Sequence, residues 1–256
     1  MKSINNEVTI LLYHNFLDKN ADHNNDKGSI RITNFMGQLE ALEQNGYQNL
    51  PLKNIIDYII LDREIPKKTY AITFDDGFES LFHYLPGLMN RIKPTVFIVT
   101  DYVGQSNLWN KRSTNKLFHM SLDMIHKLQE NGVDFQFHGT DHHNLVKFSS
   151  SELEDRFQTG CRWFEEHLQT KPDYIAYPYG AFNERVVKVA RKYFKNGLSV
   201  NHGGWYGTEA SFKINRISVP FYASGEDLVN VIKTPPKNMW LAFENNAPWV
   251  TNHNIK

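Results

Sequence analysis

A chain of 256 residues, 41% hydrophobic and 22% charged, can bury one large core, and its 28 basic and 28 acidic side chains leave no net field to attract nucleic acid or an anionic membrane. A small-molecule or carbohydrate ligand suits such a surface better. The single cysteine, Cys161, excludes an internal disulfide; in a helical pattern it reads as a half-buried thiol rather than a nucleophile, which fits a reducing compartment.

The opening stretch "MKSINNEVTILLYHNF" has one lysine and an apolar run too short for a secretory leader or a membrane span, so the expected location is cytoplasmic. Runs rich in β-branched and aromatic residues at 8–14, 70–76, 95–101, 133–138, 174–178, 197–201 and 214–219 predict strands, most of them buried on both faces. Between them, helical spacing predicts helices through Phe35, Leu39 and Leu42, over 78–91 with a break at Pro86, and through Leu122, Ile125 and Leu128 to a stop at Gly132. Further helices are expected over 152–168, with Ser151 and Glu154 as a capping box, over 184–194 and over 226–232. The polar segment 18–29 reads as a surface loop. No repeat or linker divides the chain, so a single domain over 1–256 is expected.

Strand and helix alternate about seven times, which predicts an α/β fold, a distorted (β/α) barrel of about seven parallel strands with a TIM-like layout. An open doubly wound sheet is the alternative, but no glycine-rich dinucleotide fingerprint follows any strand. The polar residues sit at strand ends: His14, Asp75 with Asp76, Asp101, His138 and Asn201, with His142 four positions beyond His138. In a barrel those ends converge on one rim, where such folds carry their chemistry.

The pair Asp75–Asp76 in "TYAITFDDGFES" has a plain reading as a turn, with Asp76 and Glu79 capping the next helix. The company of "FHGTDHHNL" favours another. Two imidazoles and one carboxylate from neighbouring strand ends make a three-ligand site for a divalent metal with positions left open. Adjacent strand residues point opposite ways, so one aspartate can bind the metal while the other faces the water it activates. A glycosidase pair would instead need carboxylates about 5–9.5 Å apart across a sugar.

"TFDDG" (73–77), the His-x-x-x-His of His138 and His142 followed by Leu145, and "YPYG" (177–180), in that order, resemble the motifs of the polysaccharide deacetylases, the NodB-homology group; the likeness spans about residues 8–220. That resemblance implies a metal-dependent hydrolase that removes N-acetyl groups from carbohydrates. It implies Asp75 as general base and Asp76, His138 and His142 as ligands of a divalent ion, zinc by ligand type. Pro178 and Tyr179 would wall the substrate site, with the Tyr179 amide aiding the oxyanion. "LLYHNF" is similar to the opening strand of a subgroup with an early histidine as general acid, which implies that role for His14.

The chain departs from the family at three points. Ala176 stands where an arginine often orients the base, and Arg216 is the expected substitute from a neighbouring strand. Gly139 replaces the usual Ser or Thr after the first histidine, and His143 offers a rival imidazole to His142. Trp205, and less so Trp109 and Tyr206, are candidates to stack on a sugar. The cytoplasmic expectation points to an intracellular glycan precursor, as in O-antigen assembly. Two other readings of the same residues are a non-catalytic carbohydrate-binding relic and a non-haem iron oxygenase using two histidines and one carboxylate.

Overall fold

Parallel strands curl into one sheet whose inner side is a sealed core and whose outer side carries the helices. The structure, a computed structural model, describes residues 9–19, 28–61, 63–106, 117–200 and 211–233. The strands of the main sheet are β1 (Thr9–Tyr13), β4 (Gln48–Asn49), β5 (Thr69–Phe74), β6 (Thr95–Ile98), β7 (Asp134–Phe137), β8 (Tyr174–Ala176), β9 (Asn196–Leu198) and β10 (Ile217–Ser218). Their order is β10-β1-β5-β6-β7-β8-β9, with β4 on the start of β5, and every pairing is parallel. Two short strands, β2 (Asn15–Leu17) and β3 (Ser29–Arg31), form a separate parallel pair.

The sheet's two ends meet through the segment 214–218. Ile214 bridges Leu198 of β9, and Ile217 and Ser218 pair with Leu11 and Leu12 of β1. The run expected as one strand over 214–219 is therefore interrupted. It pairs with one neighbour first and the other next, which places Arg216 at the closing seam.

Strand parity builds two cores. Ile10, Ala71, Phe97, Ala176, Leu198 and Ile214 pack together inside the curl, while Leu11, Ile72, Phe74, Val96, Ile98 and Phe137 face the helices. Burial on both faces explains why these strands read as unbroken apolar runs rather than alternating ones. Helices α1 (Ile32–Gln44), α3 (Ser80–Tyr84), α4 (Leu122–Glu130), α5 (Ser150–Leu168), α6 (Glu184–Ala190) and α7 (Gly225–Lys233) supply outer-core residues.

Helix α2 (Leu52–Ile60) was not foreseen. Leu52, Ile55 and Ile56 join the inner core, and α2 follows β4 at the N-terminal edge of the sheet, so it plugs the mouth opposite the polar rim. Ile55 and Ile56 mimic a strand, but with Leu52 they cover one helical face. The capping box of α5 also lies two residues earlier than the sequence suggests. Ser149 accepts from the Glu152 amide at 3.3 Å, and Glu152 accepts from the Ser149 amide at 2.7 Å. Both serines have a glutamate three positions on; the earlier start buries Leu153 and Phe157 and frees Glu154 to pair with Lys192 at 2.5 Å.

Gly160 lets α5 approach the sheet, because a Cβ there would run into the Phe137 ring, itself packed by Phe157 and Phe194. Overpacking a core of this kind costs about 1–3 kcal/mol against about 1 kcal/mol gained in helix propensity. Gly160→Ala is therefore expected to lower the urea midpoint; a raised midpoint would contradict this packing.

Candidate active site

The site starts at the end of β5. Tyr70, Ile72 and Phe74 face the outer core and Ala71 the inner one, so Asp75 falls on the inner parity, held in register by its amide donating to the Tyr13 carbonyl at 2.9 Å. Asp76 would point outward if the strand continued. The chain turns instead: Asp76 has φ 72° and Gly77 has φ 74°, both left-handed. Aspartate tolerates that region better than most residues, and Gly77 is required because a Cβ there would lie 2.8 Å from Ile98 Cγ2. The turn brings Asp76 back to the rim beside its neighbour.

His138 follows β7 directly, its amide continuing the ladder to the Ile98 carbonyl at 2.9 Å. Its Nδ1 lies 2.8 Å from the Ala176 carbonyl oxygen. A carbonyl only accepts, so Nδ1 carries the proton, and Nε2 of the neutral ring presents a lone pair to the rim. The loop then reverses through Gly139 at φ 89° and delivers His142 at φ 57°. Although Gly139 offers no hydroxyl, Arg156 braces this loop by donating to Asp141 at 2.6 Å and to Thr140 at 3.2 Å.

Asp76 Oδ1 stands 3.4 Å from His138 Nε2 and 3.3 Å from His142 Nε2, is buried, and accepts no hydrogen bond. The three ligand atoms lie within 4.8 Å of one another, the only such cluster of His, Cys, Asp and Glu found among the described residues. Burial keeps both imidazoles neutral, holding His138 below its ordinary pKa and pushing His142 down to about 4 despite the charge of Asp75. A carboxylate oxygen facing an imidazole lone pair is repulsive unless a cation sits between them. The donor set therefore fits a divalent metal. His143, by contrast, is exposed and turns to Asp141 at 3.0 Å, which leaves His142 as the inward imidazole.

Asp75 is bound from the closing seam. Arg216, 1% exposed, donates to both carboxylate oxygens at 2.6 and 2.7 Å, and its remaining N–H groups reach Thr73 Oγ1 and the Ser199 carbonyl, each at 3.3 Å. Burial alone would raise the Asp75 pKa, but the charge of Arg216 and the hydrogen bonds it donates outweigh that and hold the carboxyl at about 2.

A family profile described as polysaccharide deacetylase matches residues 62–195, more than half of the chain. The chain belongs to the polysaccharide deacetylase family. Enzymes of this family remove N-acetyl groups from carbohydrates by hydrolysis. Among its relatives, the poly-beta-1,6-N-acetyl-D-glucosamine N-deacetylase of Staphylococcus aureus is 26% identical over 208 residues, covering 75% of this chain and 68% of that protein. The Streptococcus pyogenes deacetylase PplD shares the fold with a TM-score of 0.75 at 20% identity, over 88% of this chain and 98% of that one. IcaB from Ammonifex degensii gives 0.73 at 21%, over 89% and 96%.

The family segment contains Asp75, Asp76, His138, His142, Pro178 and Tyr179, whereas His14 and Arg216 lie outside it. His14 directly follows β1, beside Asp75 across the sheet, is half-buried, and its charge helps to lower the Asp75 pKa. Ala176 contributes its carbonyl to His138 while the guanidinium it lacks arrives from Arg216. Tyr179 adopts φ 60° and lays its ring 4.7 Å from that of His142, and Pro178 before it is buried. Asp101 is exposed at the same rim and is not among the clustered ligand atoms. Asn201, Trp109, Trp205 and Tyr206 lie outside the described residues. Among the described residues no helix is long and apolar enough to cross a membrane. One residue at the site went unnoticed in the sequence, His119, whose position in "LFHMS" has no spacing relation to the motifs.

Proposed function

We propose that this chain hydrolyses an N-acetyl group on a glycan, with Asp76, His138 and His142 holding a divalent ion. The observation that carries the reading is Asp76 Oδ1, buried without a hydrogen bond between two imidazole nitrogens. When bound, such an ion supplies Lewis acidity that lowers the pKa of water to about 7 and draws charge from the acetyl carbonyl.

The remaining steps fall to side chains and one amide. Asp75, kept ionised by Arg216, takes a proton from the water as its oxygen bonds to the carbonyl carbon. The Tyr179 N–H donates to the carbonyl oxygen as charge gathers there. His14 gives a proton to the sugar nitrogen as the carbon–nitrogen bond breaks, leaving acetate and a free amine. Pro178 and the Tyr179 ring wall the sugar site, and Trp205 is assigned to stacking on a sugar face.

Zinc is the assigned ion, from two imidazoles and a carboxylate. An N-acetylglucosamine polymer is one candidate substrate, by likeness to the staphylococcal enzyme. A cytoplasmic glycan precursor of the O-antigen type is the other, supported by the lone half-buried Cys161, whose thiol burial pushes up to about 11. The reading treats 1–256 as one catalytic domain. Family membership and an all-parallel main sheet remove the oxygenase alternative. The relic reading loses one of its motives, since Arg216 reaches the carboxylate that Ala176 cannot.

Acetate release from N-acetylated oligosaccharides, including β-1,6-linked glucosamine oligomers, tests the proposal. Release is expected to stop after chelation, to return with zinc, and to be lost together with bound metal in Asp76→Ala. Turnover indifferent to chelation, or a full metal load in that variant, would count against it.

A further inference from the structure

Residues 118–120 form a short strip clamped between the aspartate turn and the segment 104–106. On one side the Glu79 amide donates to the Phe118 carbonyl at 2.8 Å and the Met120 amide to Gly77 at 3.0 Å. On the other, the His119 amide donates to Gln105 and the Gly104 amide to Met120, each at 2.9 Å. The His119 ring is 3% exposed and lies between Phe78 and Tyr102, at 4.8 and 5.5 Å between centroids. Its Nδ1 is 2.8 Å from the backbone carbonyl oxygen of Asp76. Only the ring can donate in that contact.

Asp76 sits at φ 72°, a left-handed conformation that disfavours a residue with a Cβ and persists only where surrounding contacts hold it. Where Oδ1 lies depends on the orientation of the two peptide groups flanking Asp76. Gly77, which follows, resists neither direction, so the peptide between them needs a fixed partner. We infer that His119 is a positioning residue of the metal site: its Nδ1–H fixes the Asp76 carbonyl, so that Oδ1 meets the Nε2 atoms of His138 and His142. The inference rests on the metal reading above. It differs from a packing role, because Phe or Leu would fill the same space between Phe78 and Tyr102 without donating a hydrogen bond.

Cobalt(II) titration of the purified chain, followed by its visible absorption, separates the two roles. His119→Phe keeps the ring and loses the donor; His119→Asn places an amide N–H close to the Nδ1 position; His119→Gln places it near Nε2. Outer-shell partners of this kind are worth about 10- to 100-fold in metal affinity. The Phe and Gln variants are expected to weaken cobalt binding by that factor and to shift the absorption band, while Asn restores both toward wild type. Wild-type affinity and spectrum in His119→Phe would overturn the inference. If that variant fails to fold, equal cobalt binding by the Asn and Gln variants would overturn it instead. A wild-type chain that binds no cobalt would overturn the metal reading itself and this inference with it.

Discussion

Asp75→Asn is expected to release acetate about 100- to 10,000-fold more slowly than wild type while keeping a full complement of metal. The amide is nearly isosteric with the carboxylate but cannot take a proton from water. Metal is retained because the three clustered ligand atoms belong to Asp76, His138 and His142. A secondary effect follows from the seam. Arg216, 1% exposed, loses its counter-charge, and the amide nitrogen now opposes an N–H donor where an oxygen accepted at 2.6 or 2.7 Å. Unfolding free energy should fall by about 3–5 kcal/mol, the usual consequence of leaving one member of a buried pair alone. Acetate assay, metal analysis and urea unfolding on the same preparation read all three. Undiminished turnover would remove Asp75 from the chemistry.

Arg216→Ala should destabilise by a similar amount, about 3–5 kcal/mol, but with a different dependence on pH. In the wild type the Asp75 carboxyl sits at about 2 when folded, against about 3.9 in an unfolded chain. A depressed carboxylate adds stability that is present above the unfolded value and disappears as pH falls through the folded one, here about 2.6 kcal/mol lost between about pH 4 and pH 2. Without Arg216, burial is left as the main influence and raises the pKa. The variant should therefore lose stability, relative to wild type, as pH rises through about 4. The same rise leaves the base protonated at mildly acidic pH, so the acid limb of the rate profile should move upward with metal content unchanged. Pairing Arg216→Ala with Asp75→Asn closes a double-mutant cycle, and a coupling near zero would mean that the bidentate contact contributes nothing.

Much of the fold can be read along the chain because a strand buried on both faces must be an apolar run, and helices packed on its outside must carry apolar residues at helical spacing. Both signals are local. The exceptions are local too: Ile55 and Ile56 in α2 resemble a strand because β-branched residues favour one, and only burial at the barrel mouth makes them a helix face. Ser149 and Ser151 satisfy the same capping pattern, and the choice between them fell to which start buried Leu153.

The sequence by itself determined that Asp75, Asp76, His138 and His142 stand at the ends of apolar runs, and that their order matches the deacetylase motifs. It did not determine how they face. Tertiary structure decided that Asp76 turns left-handed back to the rim, that His142 rather than His143 faces inward, and that His119 lies beneath the turn. It also decided that Arg216, 141 residues beyond Asp75, reaches that carboxylate across the seam. Residue spacing fixes which side chains leave a strand together, whereas the closing of the sheet and the hand of each turn fix which of them meet.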